Sequence, residues 1–123
     1  MKEQTKADKY FSLYIRKVNA VDDYCQCITC GKWFHWKNID AGHFVSRVYQ
    51  ATRYDEKNVQ PQCQAENRFA QGKQYEFGLA LDKKYGKGTA ESLLLKSKMH
   101  CRRTRYDYEF IADMYRGKFN NLK

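Results

Sequence analysis

The chain has 123 residues, 42% of them hydrophobic, which allows one domain with a modest core, and its formal net charge is +9. No apolar run approaches a membrane span, and the polar start from Met1 to Asp8 lacks an apolar signal region, so a soluble cytoplasmic protein is expected. Five cysteines (Cys25, Cys27, Cys30, Cys63, Cys101) without a secretory signal argue against a disulfide framework and for metal ligation.

In chain order, Thr5 to about Val18 predicts a helix, with Thr5 and Asp8 as a capping box and Tyr10, Tyr14 and Val18 as its stripe beside Phe11 and Ile15. Cys27-Ile-Thr-Cys30-Gly31-Lys32 has the form of a zinc knuckle, with Gly31 permitting the tight turn. Trp33 to Trp36 and Ile39 to Val45, broken at Lys37-Asn38, predict a β-hairpin with His43 near the end of its second strand. Residues 46–57 read as a polar loop, and Val59 to Gln62 as a short extended piece that Pro61 confines to an edge or turn. A short helix from Gln64 to about Ala70 completes a β-β-α middle. Three helical stretches follow: Gln74 to Tyr85, Thr89 to about Met99, and Thr104 to about Arg116 with a Thr104/Asp107 box.

The basic charge is unevenly spread. Residues 21–72 hold six Lys/Arg against six Asp/Glu, whereas residues 1–20 hold five against two and residues 96–123 eight against three. A neutral middle between basic flanks suggests chemistry in the middle and phosphate affinity at the ends.

The middle carries an ordered set: Cys27, Cys30, Asp40, His43, Asn58, Cys63 and Asn67. Phosphodiester hydrolysis needs a base for water, neutralisation of the phosphate and a stabilised leaving oxygen. A neutral imidazole can serve as the base near pH 7. One divalent cation can serve the other two needs, and hard oxygen ligands such as Asp and Asn suit Mg²⁺ (or Mn²⁺). His43 is the candidate base, Asp40 and Asn67 the candidate ligands, and Asn58 the residue tying the loop to the strands and orienting His43. Arg47, Arg53, Lys57 and Arg68 flank this set as candidate phosphate contacts, or as solvated surface charges.

With these residues the chain resembles the HNH endonucleases in their variant ending in Asn, and more closely the phage NinG/Rap group of recombination nucleases. The resemblance runs over roughly residues 25 to 115, through Cys27-Ile-Thr-Cys30-Gly31-Lys32, Asp40-Ala41-Gly42-His43-Phe44-Val45-Ser46-Arg47, Asn58-Val59, Pro61-Gln62-Cys63 and Asn67. It implies an α+β single domain over 1–123, with an N-terminal helix (1–22), a ββα-metal core (23–72) and a helical C-terminal part (73–123). It also implies His43 as general base, Asn67 as metal ligand with help from Asp40, and metal-dependent cleavage of branched DNA such as D-loops and Holliday-type junctions in a phage-infected or lysogenic host cell. Two cuts per junction would favour a homodimer.

One departure touches the zinc half. Relatives commonly carry a fourth Cys where this chain has Glu66. Three outcomes are open: Glu66 completes the structural Zn²⁺ site with Cys27, Cys30 and Cys63; Cys25 moves in as fourth ligand; or the zinc is weak or absent. The competing expectation for the whole chain is a non-catalytic zinc-knuckle DNA-binding protein that accompanies recombination.

Overall fold

The structure is a computed structural model and describes residues 1–122. Helix α1 (Lys2–Val18) buries Ala7, Phe11 and Ile15, an i, i+4, i+8 stripe. This stripe sits one residue round from the expected line through Tyr14 and Val18, and Val18 is 42% exposed. The expected capping box does not form. The helix begins at Lys2, Thr5 lies inside it with its N–H donating to the Met1 carbonyl at 3.2 Å, and Asp8 binds residues far along the chain.

Strands β1 (Tyr24–Gln26) and β2 (Trp33–His35) pair antiparallel, with Cys25 opposite Phe34. Between them the knuckle closes through Cys27 N–H to the Lys32 carbonyl at 2.8 Å and Gly31 N–H to the Cys27 carbonyl at 3.0 Å. Gly31 has φ +77°, the left-handed region that a side chain would disfavour.

The expected hairpin between Trp33–Trp36 and Ile39–Val45 is therefore a misassignment of partners. Strand β3 (Asp40–His43) pairs antiparallel with β4 (Val59–Gln62), Asp40 opposite Gln62 and His43 opposite Val59. A 3₁₀ turn over Trp36–Asn38 parts β2 from β3, held by Trp36 N–H to the Asp23 carbonyl at 2.9 Å and Lys37 N–H to His35 Nδ1 at 3.1 Å. The 3₁₀ turn takes up the residues that a tight β2–β3 turn would need, while the hydrogen-bonded knuckle returns β2 to β1. Pro61 lies in a two-stranded sheet, where its missing N–H breaks no inner ladder. Its carbonyl accepts from Ile28 N–H at 2.9 Å, tying the knuckle to β4.

The loop between β3 and β4 contains a one-turn helix, α2 (Gln50–Arg53). After β4 comes a π-helical turn over Ala65–Phe69 where an ordinary helix was expected, then a 3₁₀ turn over Gln71–Lys73. Helices α3 (Gln74–Tyr85), α4 (Thr89–Ser97) and α5 (Arg105–Asn120) follow. The Thr104/Asp107 capping box is formed, and α5 runs on past Gly117.

Apolar clusters hold these pieces. Phe11 and Ile15 of α1 meet Val59 of β4 and Tyr115 of α5, with Phe11 edge-on to Tyr115 at 4.8 Å. Cys25, Cys27, Trp36, Ile39 and Cys63 pack beneath the knuckle, and Val45, Phe77, Leu81 and Leu93 fix the loop to α3 and α4. Each fully buried Phe, Leu or Ile here contributes about 1.5–3 kcal/mol relative to exposure. Among the described residues no helix is long and apolar enough to cross a membrane.

Candidate active site and metal centre

The knuckle and the residues just after β4 bring four ligand atoms together. One atom each from Cys27, Cys30, Cys63 and Glu66 lie within 4.8 Å of one another. Cys30 and Cys63 Sγ are 3.9 Å apart. Two sulfurs on one tetrahedral zinc, each at about 2.3 Å, would stand about 3.8 Å apart, so the spacing and donor chemistry fit. This cluster can hold a metal such as zinc. The local electrostatics favour a first thiolate at Cys27. Burial opposes its ionisation, but hydrogen bonds from the Cys63, Cys30 and Thr29 N–H groups help outweigh burial and bring it down to about 7. Cys30 is pushed up to about 11 by burial and by the neighbouring Cys27 and Cys63 sulfurs, a penalty that a bound cation would reverse. Thr29 Oγ1 donates to Glu66 Oε1 at 2.5 Å and orients the carboxylate.

Cys25 does not join this cluster. Its buried Sγ is turned to the Arg16 carbonyl, 2.9 Å away, so the alternative of Cys25 as fourth ligand is replaced by Glu66.

The second feature is a cleft of roughly 660 Å³ between α1, the β3–β4 loop and the π-helical turn, lined by Asp8, His43, Arg47, Asn67 and Arg68 among others. His43 ends β3, and its Nε2 lies 3.1 Å from the Arg53 carbonyl. A carbonyl can only accept, so Nε2 carries the proton and Nδ1 is left as the acceptor. Burial pushes the imidazole down to about 4, and the Arg53 and Arg47 charges push the same way, so it is neutral at pH 7.

Asn58 is fully buried and staples the loop. Its Oδ1 accepts from Val45 N–H at 2.8 Å, while Nδ2 donates to the Val45 and Thr52 carbonyls at 3.0 and 3.1 Å. The loop carrying the Arg53 carbonyl is thereby bound to the segment that follows His43.

Asp40 and Asn67 meet: Asn67 Nδ2 donates to Asp40 Oδ2 at 2.9 Å. Arg68 also grips Asp40 with two hydrogen bonds of 2.9 Å each, which holds its own pKa above the usual value. Side chains alternate along a strand, so Asp40 and His43 leave β3 on opposite faces, and the carboxylate lining the cleft is Asp8.

The four candidate phosphate contacts separate. Arg47 and Arg68 are exposed and line the cleft. Lys57 is exposed over the Tyr85 ring, in a different hollow beside Asp55 and Lys87. Arg53 is only 8% exposed and pairs with Asp8, so it is not free for phosphate. Sequence reasoning missed Asp8, because the local Thr5-x-x-Asp8 pattern has an ordinary helix-capping meaning. It also missed Thr29, for which a hydroxyl between two ligand cysteines was the available signal.

A family model described as the bacteriophage lambda NinG protein matches residues 2–123. The chain belongs to the NinG family. The match takes in both the cysteine cluster and the His43 cleft, and points to a phage recombination-related role. No curated protein and no solved structure matches the chain. As a NinG-family protein it has Glu66, hydrogen-bonded by Thr29, beside three cysteines in a cluster that can hold a metal.

Proposed function

We propose that this NinG-family protein is a divalent-metal-dependent DNA endonuclease of the HNH class, acting on branched recombination intermediates. The observation that supports it most is the pinned imidazole. His43 donates from Nε2 to the Arg53 carbonyl and keeps Nδ1 as a neutral acceptor, in a cleft flanked by Arg47 and Arg68. The order β3, loop, β4, short helical turn, with His43, Asn58 and Asn67 on successive parts, is the ββα-metal arrangement on this reading.

The residues divide the work as follows. His43 Nδ1 takes a proton from the attacking water, and a phosphodiester anion drawn into the cleft raises its basicity. The Arg53 carbonyl and Asn58 keep the ring in one tautomer and orientation. Arg47 and Arg68 hold the phosphate. Asp40 and Asn67 place a carboxylate and an amide side by side, a hard donor set that fits Mg²⁺ or Mn²⁺ in kind. Such a cation, when bound, supplies charge neutralisation at the phosphate and the leaving oxygen. Arg68 exchanges Asp40 for phosphate to free that carboxylate. The Cys27, Cys30, Cys63 and Glu66 cluster serves as a structural zinc scaffold. The basic flanks hold DNA non-specifically.

A second reading has one observation in its favour. Arg68 neutralises Asp40, as in a protein that binds DNA without cutting it. Incubation with a four-way junction, a D-loop and linear duplex in Mg²⁺, Mn²⁺ and EDTA, with His43→Ala alongside, separates the two. Cleavage is expected with metal, is abolished by EDTA and falls at least 100-fold in His43→Ala. Intact junctions in both metals with folded protein would establish the binding protein. Equal cutting of linear duplex would remove the branch preference and leave the nuclease.

A further inference from the structure

Each nitrogen of the Arg53 guanidinium is held by a hydrogen bond, and the residue is 8% exposed. Asp8 Oδ1 accepts from Arg53 Nε at 3.0 Å, Asp8 Oδ2 accepts from Nη2 at 2.5 Å, and Nη1 donates to the Arg47 carbonyl at 2.7 Å. The next side chain joins in, with Tyr54 Oη donating to Asp8 Oδ1 at 2.7 Å. The same residue's backbone carbonyl receives His43 Nε2–H.

We infer that Asp8, on α1, is a positioning residue that fixes the His43 imidazole through Arg53. The inference rests on the reading of His43 as general base. Helix α2 is a single turn and cannot hold its own conformation. The residues before it are open to solvent, with Val48 72% and Tyr49 51% exposed. Something outside the loop must set where the Arg53 carbonyl points. Asn58 holds one end, through Val45 and Thr52. Asp8 holds the next two residues, Arg53 and Tyr54, by their side chains, from a long helix whose neighbouring Ala7 and Phe11 are buried. The bidentate pair is largely out of solvent, with Arg53 and Asp8 side chains 10% and 24% exposed, so it is geometrically specific in a way that a surface pair is not. Asp8 does not act on the water itself, because its carboxylate already accepts three hydrogen bonds. Its contribution is alignment, and misplacing a reacting group by about 1 Å can cost about 100-fold in rate.

The test compares Asp8→Ala, Asp8→Asn, Asp8→Glu and Tyr54→Phe with the wild type. Imidazole ¹⁵N NMR of His43 is expected to show one Nε2–H tautomer in the wild type and a mixture in Asp8→Ala. Single-turnover junction cleavage is expected to fall about 10- to 100-fold in Asp8→Ala and to recover in part in Asp8→Glu. Binding of the same DNA in EDTA should stay within about twofold, because Asp8 bears on alignment rather than affinity. An unaltered His43 spectrum in folded Asp8→Ala overturns the inference. So does tighter DNA binding in that variant with an unchanged cleavage rate, which is what freeing Arg53 as a phosphate contact would give. If Asp8→Ala does not fold, Asp8→Asn and Tyr54→Phe carry the same readouts. If the wild type cuts no DNA, the nuclease reading falls and the tautomer measurement alone decides on Asp8.

Discussion

Removing the side chain of Asn58 tests the loop staple directly. The carboxamide serves three backbone groups, Val45 N–H, Val45 C=O and Thr52 C=O, from a position with no exposure. Two main-chain bonds of the same residue survive truncation: Phe44 N–H to the Asn58 carbonyl at 2.8 Å and Asn58 N–H to the Asp55 carbonyl at 3.0 Å. Asn58→Ala therefore strands one donor and two acceptors without cutting the chain's path. A buried polar group left without a partner costs about 1–3 kcal/mol. Three of them, eased by a water entering the space left behind, give an expected loss of about 3–5 kcal/mol. Domains of this size are stable by about 5–15 kcal/mol, so the variant should lie close to its unfolding transition. Equilibrium urea unfolding of the metal-loaded protein, followed by tryptophan fluorescence and circular dichroism, measures the loss. Asn58→Asp keeps an acceptor for Val45 N–H but sets a buried carboxylate against two carbonyls. At pH 7 it should lose at least as much as Asn58→Ala, and it should regain part as the introduced carboxyl protonates and donates one bond. A loss below about 1 kcal/mol for Asn58→Ala would show that the three contacts do not staple the loop.

His43 should make stability depend on pH. Its folded-state value of about 4 lies below the unfolded value near 6.5, so its contribution is complete above pH 6.5 and is lost as pH falls towards 4. The loss across that window is about 3 kcal/mol, and it should vanish in His43→Gln when stability is measured from pH 7 to 4. Purified protein should carry one zinc per chain by elemental analysis. Cys63→Ser should lose it, Glu66→Cys should bind it more tightly, and chelation should lower Tm. Gly42→Ala should destabilise by about 1–3 kcal/mol in thermal or urea unfolding. Its new Cβ would run into the buried Gln62 side chain, at 2.9 Å from Gln62 Cβ, and Gln62 is held by Thr29 and Gly72.

What was legible in the sequence followed from local chemistry. Gly86 after Tyr85 and the Thr104/Asp107 box mark helix ends through backbone and side-chain interactions within a few residues, and α3 and α5 end or begin there. The knuckle was readable from Cys27-x-x-Cys30-Gly31 for the same reason. Strand partnership was not, because nothing local says that Trp33–His35 closes on Tyr24–Gln26 rather than on the segment after it. The pair of Asp8 with Arg53 was hidden more deeply. It joins residues 45 positions apart, and its acidic partner stands where a local capping rule gives it a different job. Arg53 was therefore read as a phosphate contact or a solvated charge. The surroundings of Asp40 were hidden as well, since nothing local shows that Asn67 and Arg68 both donate to its carboxylate.

The pairing of α1 with α5 bears on when the protein becomes competent during synthesis. Tyr115 packs on Phe11, and Tyr108 and Ala112 pack on Ala7, so the back of the helix that carries Asp8 is covered by a helix translated after all the other elements described. Arg103, just ahead of that helix, also donates to the Gln50 carbonyl at 2.7 Å, at the start of α2. A nascent chain can close its knuckle and pair β3 with β4 while α1 still lacks its cover. The cleft around His43, which Asp8 lines, then takes its final shape only once α5 has been made and packed on α1.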